Sequence, residues 1–213
     1  MMEVFDGESI IAAMNCVIDR VTGIRDQLNE LDAAMGDGDT GITASKAAMG
    51  LRGYIDKNPS MEDLGVFFFN AGKAVNQVAS SSLGTLIATA LMQAGKEVKR
   101  VTSLDLEMVV RMLVAADLGI QERGKAQPGD KTVVDSLHPA AVTFAKIVNE
   151  GQSMESAAKA MLDAAREGRD NAKKLRGKVG RASWFGERTE NMLDPGTVLF
   201  VTILEALLDE EPG

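Results

Sequence analysis

The chain has 213 residues, 45% hydrophobic but only 4% aromatic, so Leu, Ile, Val, Met and Ala must fill its core, which favours packed helices over sheets rich in β-branched and aromatic residues. A net charge of −8 argues against a non-specific nucleic-acid binder, which needs cationic patches, though not against binding one nucleotide through a metal. Cys16 is the only cysteine, which rules out an internal disulfide; it sits in an apolar helical pattern and reads as core.

Apolar spacing and breakers predict eight helices, near 7–31, 43–55, 61–78, 85–98, 104–122, 132–149, 154–175 and 195–208. The first shows Ile10, Met14, Val17, Val21, Ile24, Leu28 and Leu31 in three-four alternation. Ser60-x-x-Asp63 and Thr102-x-x-Asp105 read as capping boxes with Asp in the acid position. Asp194-Pro195 reads as an N-cap followed by proline at the first helical position. No alternating strand pattern of useful length is present; Val66-Phe67-Phe68-Phe69 would suit a short strand, but helix on both sides argues otherwise. The run at 198–208 is shorter than the roughly 18 residues of a membrane span, and Glu205 interrupts it. The first six residues carry acids and lack the basic start of a signal peptide. The expectation is a soluble cytoplasmic protein whose residues 1–213 form one domain.

The loops after the second, fourth and sixth helices (56–60, 99–103, 150–153) are short and plain. Those after the first, third, fifth and seventh (32–42, 79–84, 123–131, 176–194) are rich in Gly, Ser and charge. In an up-and-down array alternate loops share one end, so these four would converge on a single rim.

The first of them holds Asp32, Asp37 and Asp39 interleaved with Gly36, Gly38 and Gly41. Carboxylates that close repel unless they share cations, take protons or stay solvated, and Mg²⁺ prefers hard oxygen ligands shared with phosphate. The residues alone leave a metal–phosphate site and a solvated acidic turn both open. Gly36-x-Gly38-x-x-Gly41 matches a dinucleotide fingerprint, but no strand precedes it. Asp37-x-Asp39 begins like a calcium loop, but Ile42 and Ala48 stand where Gly and Glu belong. Ser80-Ser81-Ser82 could meet phosphate at a helix start or merely cap it. The 123–131 loop is basic and turn-rich, with Asp130 or Thr132 as a candidate cap; no Walker motif occurs. The last loop carries Arg181, suited to neutralising transferred phosphate charge, and the only Trp. Trp184 and Phe185 are expected to pin that loop onto the core, and the helix after Asp194 offers its N-terminal dipole.

Three segments resemble one family. They are Gly36-Asp37-Gly38-Asp39-Thr40-Gly41; Arg123-Gly124-Lys125-Ala126-Gln127-Pro128-Gly129-Asp130-Lys131-Thr132; and Gly180-Arg181-Ala182-Ser183 through Gly186-Glu187-Arg188 with Asp194-Pro195-Gly196. They are similar to the nucleotide-binding L subunit of dihydroxyacetone kinases, over nearly the whole chain. The resemblance implies an all-α, eight-helix antiparallel up-and-down barrel with a nucleotide site at one rim. It implies that Asp32, Asp37 and Asp39 hold two Mg²⁺ ions bridging the phosphates of ADP or ATP. Thr40, Gly41, Ile42, Thr43, Ser81 and Ser82 would border the phosphates. Gly124 and Val133 would lie near the adenosine, and Arg181, as catalytic residue, would complete the pocket with Asp194, Pro195 and Gly196. The family has glycines where Ala79, Ser80 and Leu83 stand, so the third loop is more restricted here and the ketose could differ.

The implied activity is phosphoryl transfer to dihydroxyacetone or a related ketose. In the family a partner K subunit holds that ketone covalently through a histidine; His138, the only histidine, precedes Pro139 and matches no such role, reading instead as a partly buried helix-start residue. Expected partners are that K subunit, a phosphohistidine-bearing phosphotransferase-system protein and a second copy of the chain as a homodimer, with no nucleic acid and no membrane. ADP as a fixed cofactor and ATP as a turnover substrate both fit the carboxylates. Two other readings are a nucleotide-state sensor acting on a transcription factor, and a helical scaffold with a decayed site.

Overall fold

The computed structural model describes residues 4–59 and 61–209. Its helices are α1 (Gly7–Gly23), α2 (Arg25–Ala33), α3 (Thr40–Ile55), α4 (Leu64–Val78), α5 (Ser82–Glu97), α6 (Leu106–Gly124), α7 (Val134–Asn149), α8 (Met154–Ala172), α9 (Ala182–Phe185) and α10 (Pro195–Leu208). The long helices α1, α3, α4, α5, α6, α7, α8 and α10 each pack against the next, and α10 closes the ring on α1. This is the all-α up-and-down barrel, with α2 continuing α1 and packing on α3 and α10.

The expected first helix is broken at Ile24. Gly23 is a poor helix former, and the Thr22 hydroxyl donates back to the Ile18 carbonyl at 2.7 Å, a bond that bends helices. The apolar stripe survives the break: Ile10, Met14, Ile18, Val21 and Leu28 are buried, while Val17, Ile24 and Leu31 pack partly buried at its edge. Cys16 is exposed rather than core, because two residues from Met14 carry it about 200° round the helix.

The two capping boxes are corrected. Asp63 and Asp105 are themselves the N-caps of α4 and α6, accepting from the N–H groups of Val66 and Met108; Ser60 lies outside the described residues. Thr102 is displaced from a capping role by a two-residue strand, β2 (Ser103–Leu104), paired antiparallel with β1 (Phe5–Asp6). Strands of two residues are too short to show alternation. The 66–69 segment is helical, burying Phe67 and Phe68 with Ala71 and Val75 in the main core. A second cluster joins Phe144 of α7, Met161 and Leu162 of α8, and Val201 and Leu204 of α10. Each such side chain contributes about 1.5–3 kcal/mol on burial. No described helix is long and apolar enough to cross a membrane.

Candidate functional site

All four rich loops line one cavity of about 620 Å³ at one rim of the barrel. Asp32 occupies the last turn of α2, and its Oδ2 accepts from the N–H groups of Asp39 (2.8 Å) and Thr40 (3.1 Å). One turn earlier, Asn29 Oδ1 accepts from the Ile42 N–H at 3.1 Å. The first turn of α3 is thus capped from the preceding helix, which leaves Asp39, at the N-cap position, making no cap bond of its own. Asp32, Asp37 and Asp39 each offer a carboxylate oxygen, all within 4.8 Å of one another. Asp32 is buried and the other two face solvent. That spacing of hard oxygen donors fits a divalent cation such as Mg²⁺. Two glycines make the packing feasible: a Cβ on Gly36 would overlap the Asp32 carboxylate, and one on Gly41 the Arg25 carbonyl.

Ser81 caps α5, its hydroxyl accepting from Gly84 N–H at 3.2 Å and donating to the buried Thr43 hydroxyl at 3.3 Å. Ser82, Leu83 and Gly84, expected in the loop, form the first turn of α5. Leu83 packs against the core and lines the cavity beside Ser81 and Ser82. Thr40 lines the cavity as well; Gly41, Ile42 and Thr43 are not among its lining residues and extend α3 behind it.

The loop between α6 and α7 is folded on itself. Asp135 accepts from the N–H groups of Gly129 and Thr132, and Asp130 from that of Gln127. Val133 lines the cavity with Thr132. Gly124 borders an adjoining cavity of about 510 Å³ that shares Ser82, Leu86 and Val133 with the first, and whose walls include Ile120, Ala126 and Val134.

The segment from α8 to α10 holds α9 and a 3₁₀ turn at Gly186–Thr189. Trp184 does not pin it: the residue is 82% exposed and lies at the cavity, and Phe185 is only half-buried beneath Arg188. The pin is Thr189, fully buried, which accepts from Gly177 N–H at 2.9 Å and donates to the Gly186 carbonyl at 2.7 Å. Arg176 adds ion pairs to Glu187 and Glu190, and Lys178 Nζ donates to the Gly129 carbonyl at 2.7 Å, tying this segment to the previous loop. Arg181 forms an ion pair with Asp37 at the cavity.

Asp194 caps α10, accepting from Thr197 N–H at 2.8 Å. Burial pushes its carboxyl up to about 7, against the opposing pull of the Thr197 hydrogen bond and the Lys131 charge. Pro195 and Gly196 follow it along the cavity wall.

A DAK2 domain model matches residues 34–209. The chain belongs to the DAK2 domain family. It is 30% identical, over 97% of its own length and 98% of the relative's, to the PEP-dependent dihydroxyacetone kinase 1, ADP-binding subunit DhaL, of Listeria innocua. It is also 30% identical to the triokinase/FMN cyclase of Mus musculus, aligning over 92% of itself but spanning only 34% of that longer protein. The dihydroxyacetone kinase of C. freundii superposes with a TM-score of 0.73 at 25% identity, covering 99% of this chain and 36% of that one. A second structure of that kinase, in complex with AMP-PNP and Mg²⁺, gives 0.71 at 24% identity.

In this DAK2 domain His138 lies on α7 with Nδ1 2.7 Å from Asp117 Oδ2, and it lines neither cavity. Three residues that hold the site together gave little sign in the sequence. Asn29 could have been found, standing one turn before Asp32 on the same helix face. Thr189 carried no local signal, and Lys131 stood in a recognised motif without any sign of its burial, because what they bind is remote in the chain.

Proposed function

We propose that the chain is the Mg²⁺–nucleotide subunit of a dihydroxyacetone or related ketose kinase, passing a phosphoryl group to a ketone held by a partner subunit. The observation that carries this reading is the convergence of Asp32, Asp37 and Asp39 with Arg181 and the starts of α3, α5 and α10 on one cavity. Helix starts turn a positive dipole end to phosphate, here with several first-turn N–H groups already held by Asp32, Asn29, Ser81 and Asp194. Asp32, Asp37 and Asp39 would hold Mg²⁺, which when bound neutralises charge on phosphate oxygens. Ser82 and Thr40 stand where hydroxyls can meet those oxygens, and the apolar wall around Gly124, Ala126 and Val133 suits a purine face. Arg181, paired with Asp37 in the structure, would turn to the transferred group; a guanidinium placed there supports the charge that develops in transfer. His138 lines neither cavity, and the subunit name of the Listeria innocua relative supports an acceptor held by a partner.

Titrating ADP into the purified chain by calorimetry, with and without Mg²⁺, tests the reading. Mg²⁺-dependent binding is expected, and triose phosphorylation once a ketone-binding subunit is added. Absence of Mg²⁺-dependent binding would sink it. Slow ADP release, with rephosphorylation by a phosphohistidine donor, would assign ADP as a fixed cofactor; rapid exchange would assign ATP as substrate.

A further inference from the structure

Among the described residues Lys131 is the only buried basic side chain, 1% exposed. Its Nζ donates to the carbonyls of Ala172 (2.9 Å), Lys173 (3.0 Å) and Met192 (2.7 Å). An ammonium has three N–H donors, so none is left for a ligand, although Lys131 lines the rim cavity. Ala172 ends α8 and Lys173 is its C-cap, so the ammonium neutralises the negative end of that helix where it meets the rim. Met192 lies two residues before Asp194, and Lys131 itself immediately precedes Thr132 and Val133. One side chain therefore joins the loop after α6, the end of α8 and the entry to α10. The junction is tight: a Cβ on Gly196 would lie 3.2 Å from Val133. The backbone of Lys131 is left-handed, φ 60°, a conformation unfavourable for a non-glycine residue that persists when its surroundings enforce it.

We propose that Lys131 is a positioning residue for the phosphate end of the nucleotide: it cancels the α8 terminus and clamps the start of α10 against the loop after α6, so that the α10 N-terminus faces the phosphates. Lys131 acts through α10 and through the local potential, without touching the ligand. Burial lowers the Lys131 ammonium below the ordinary lysine range, an effect that the charges of Asp194, Asp135 and Glu190 oppose in part. The inference rests on the nucleotide reading above and names how that site is held.

The test compares Mg·ADP with adenosine, which lacks phosphate, in calorimetric titrations of wild type, Lys131→Met and Lys131→Arg. The Met variant keeps the stem's bulk and loses the ammonium. It is expected to bind Mg·ADP at least tenfold more weakly and adenosine within twofold of wild type. The Arg variant, which keeps the charge, is expected to preserve the wild-type ratio of the two affinities within threefold. Equal weakening toward both ligands in the Met variant would reduce Lys131 to a structural staple and overturn the proposal, as would unchanged Mg·ADP affinity. If the Met variant does not fold, the Arg variant decides, and a tenfold fall in its ratio overturns the proposal. A wild-type chain that binds adenosine but no Mg·ADP would overturn the nucleotide reading itself, a distinguishable failure.

Discussion

The three carboxylates of the first rim loop are not equivalent. Asp32 is buried and accepts two backbone N–H groups, so it builds the turn as well as facing the cavity, whereas Asp37 is exposed and paired with Arg181. Asp37→Asn should therefore weaken Mg·ADP binding at least tenfold while leaving helical content unchanged; calorimetry paired with circular dichroism checks it, and unaltered affinity would make the cluster a surface feature. Asp194 gives a pH signature. Its carboxyl is pushed up to about 7 in the fold, from 3.8, so the folded chain binds more protons than the unfolded chain between those values. Stability contributed by this group is fully present below about pH 4 and is lost as pH rises through about 7. Asp194→Asn keeps a capping oxygen and removes the titration. Between pH 5 and 8 the wild type without ligand should lose on the order of 2–4 kcal/mol relative to this variant. Denaturant melts at the two pH values measure it, and parallel profiles would show that Asp194 does not titrate in this window.

At the scale of elements, the junction of α2 and α3 depends on close backbone approach. The Gly41 Cα faces the Arg25 carbonyl so closely that a Cβ would overlap backbone, which cannot yield as a flexible side chain can. Gly41→Ala should cost about 2 kcal/mol or more, readable as a lowered denaturation midpoint, whereas Gly53→Ala in the same helix, with open space around it, should be neutral or stabilising. Periodicity made most helices legible because burial on one face imposes the 3.6 repeat. The ends were less so. Thr22 and Gly23 break a helix whose apolar stripe runs on unbroken, and Asp63 and Asp105, which the spacing casts as cap partners, are the caps themselves. A carboxylate can play either part, and only the backbone conformation distinguishes them.

At the scale of the molecule, the barrel brings together loops some 150 residues apart in the chain, Asp32 and Asp194 among them. Crowding among the three aspartates is relieved by backbone N–H groups at Asp32 and by Arg181 at Asp37, so ligand stabilisation should come from binding to the folded state alone. At ADP and Mg²⁺ concentrations about a hundredfold above Kd, linkage adds about 2.7 kcal/mol, or roughly 5–10 °C in Tm for a chain of this size. Scanning calorimetry checks this, and no shift at saturation would speak against the cavity as the binding site. The sequence by itself determined the all-α class, the grouping of four loops at one end and the acidic motif, because local periodicity, breaker residues and alternation of helix direction are properties of the chain order. Only the tertiary structure decided which groups are available to a ligand. Trp184 is exposed while Thr189 holds its loop, and Lys131, in a loop that reads as basic and turn-rich, is buried on three carbonyls. Burial and hydrogen-bond partners remote in sequence are set by packing, and no local pattern encodes them.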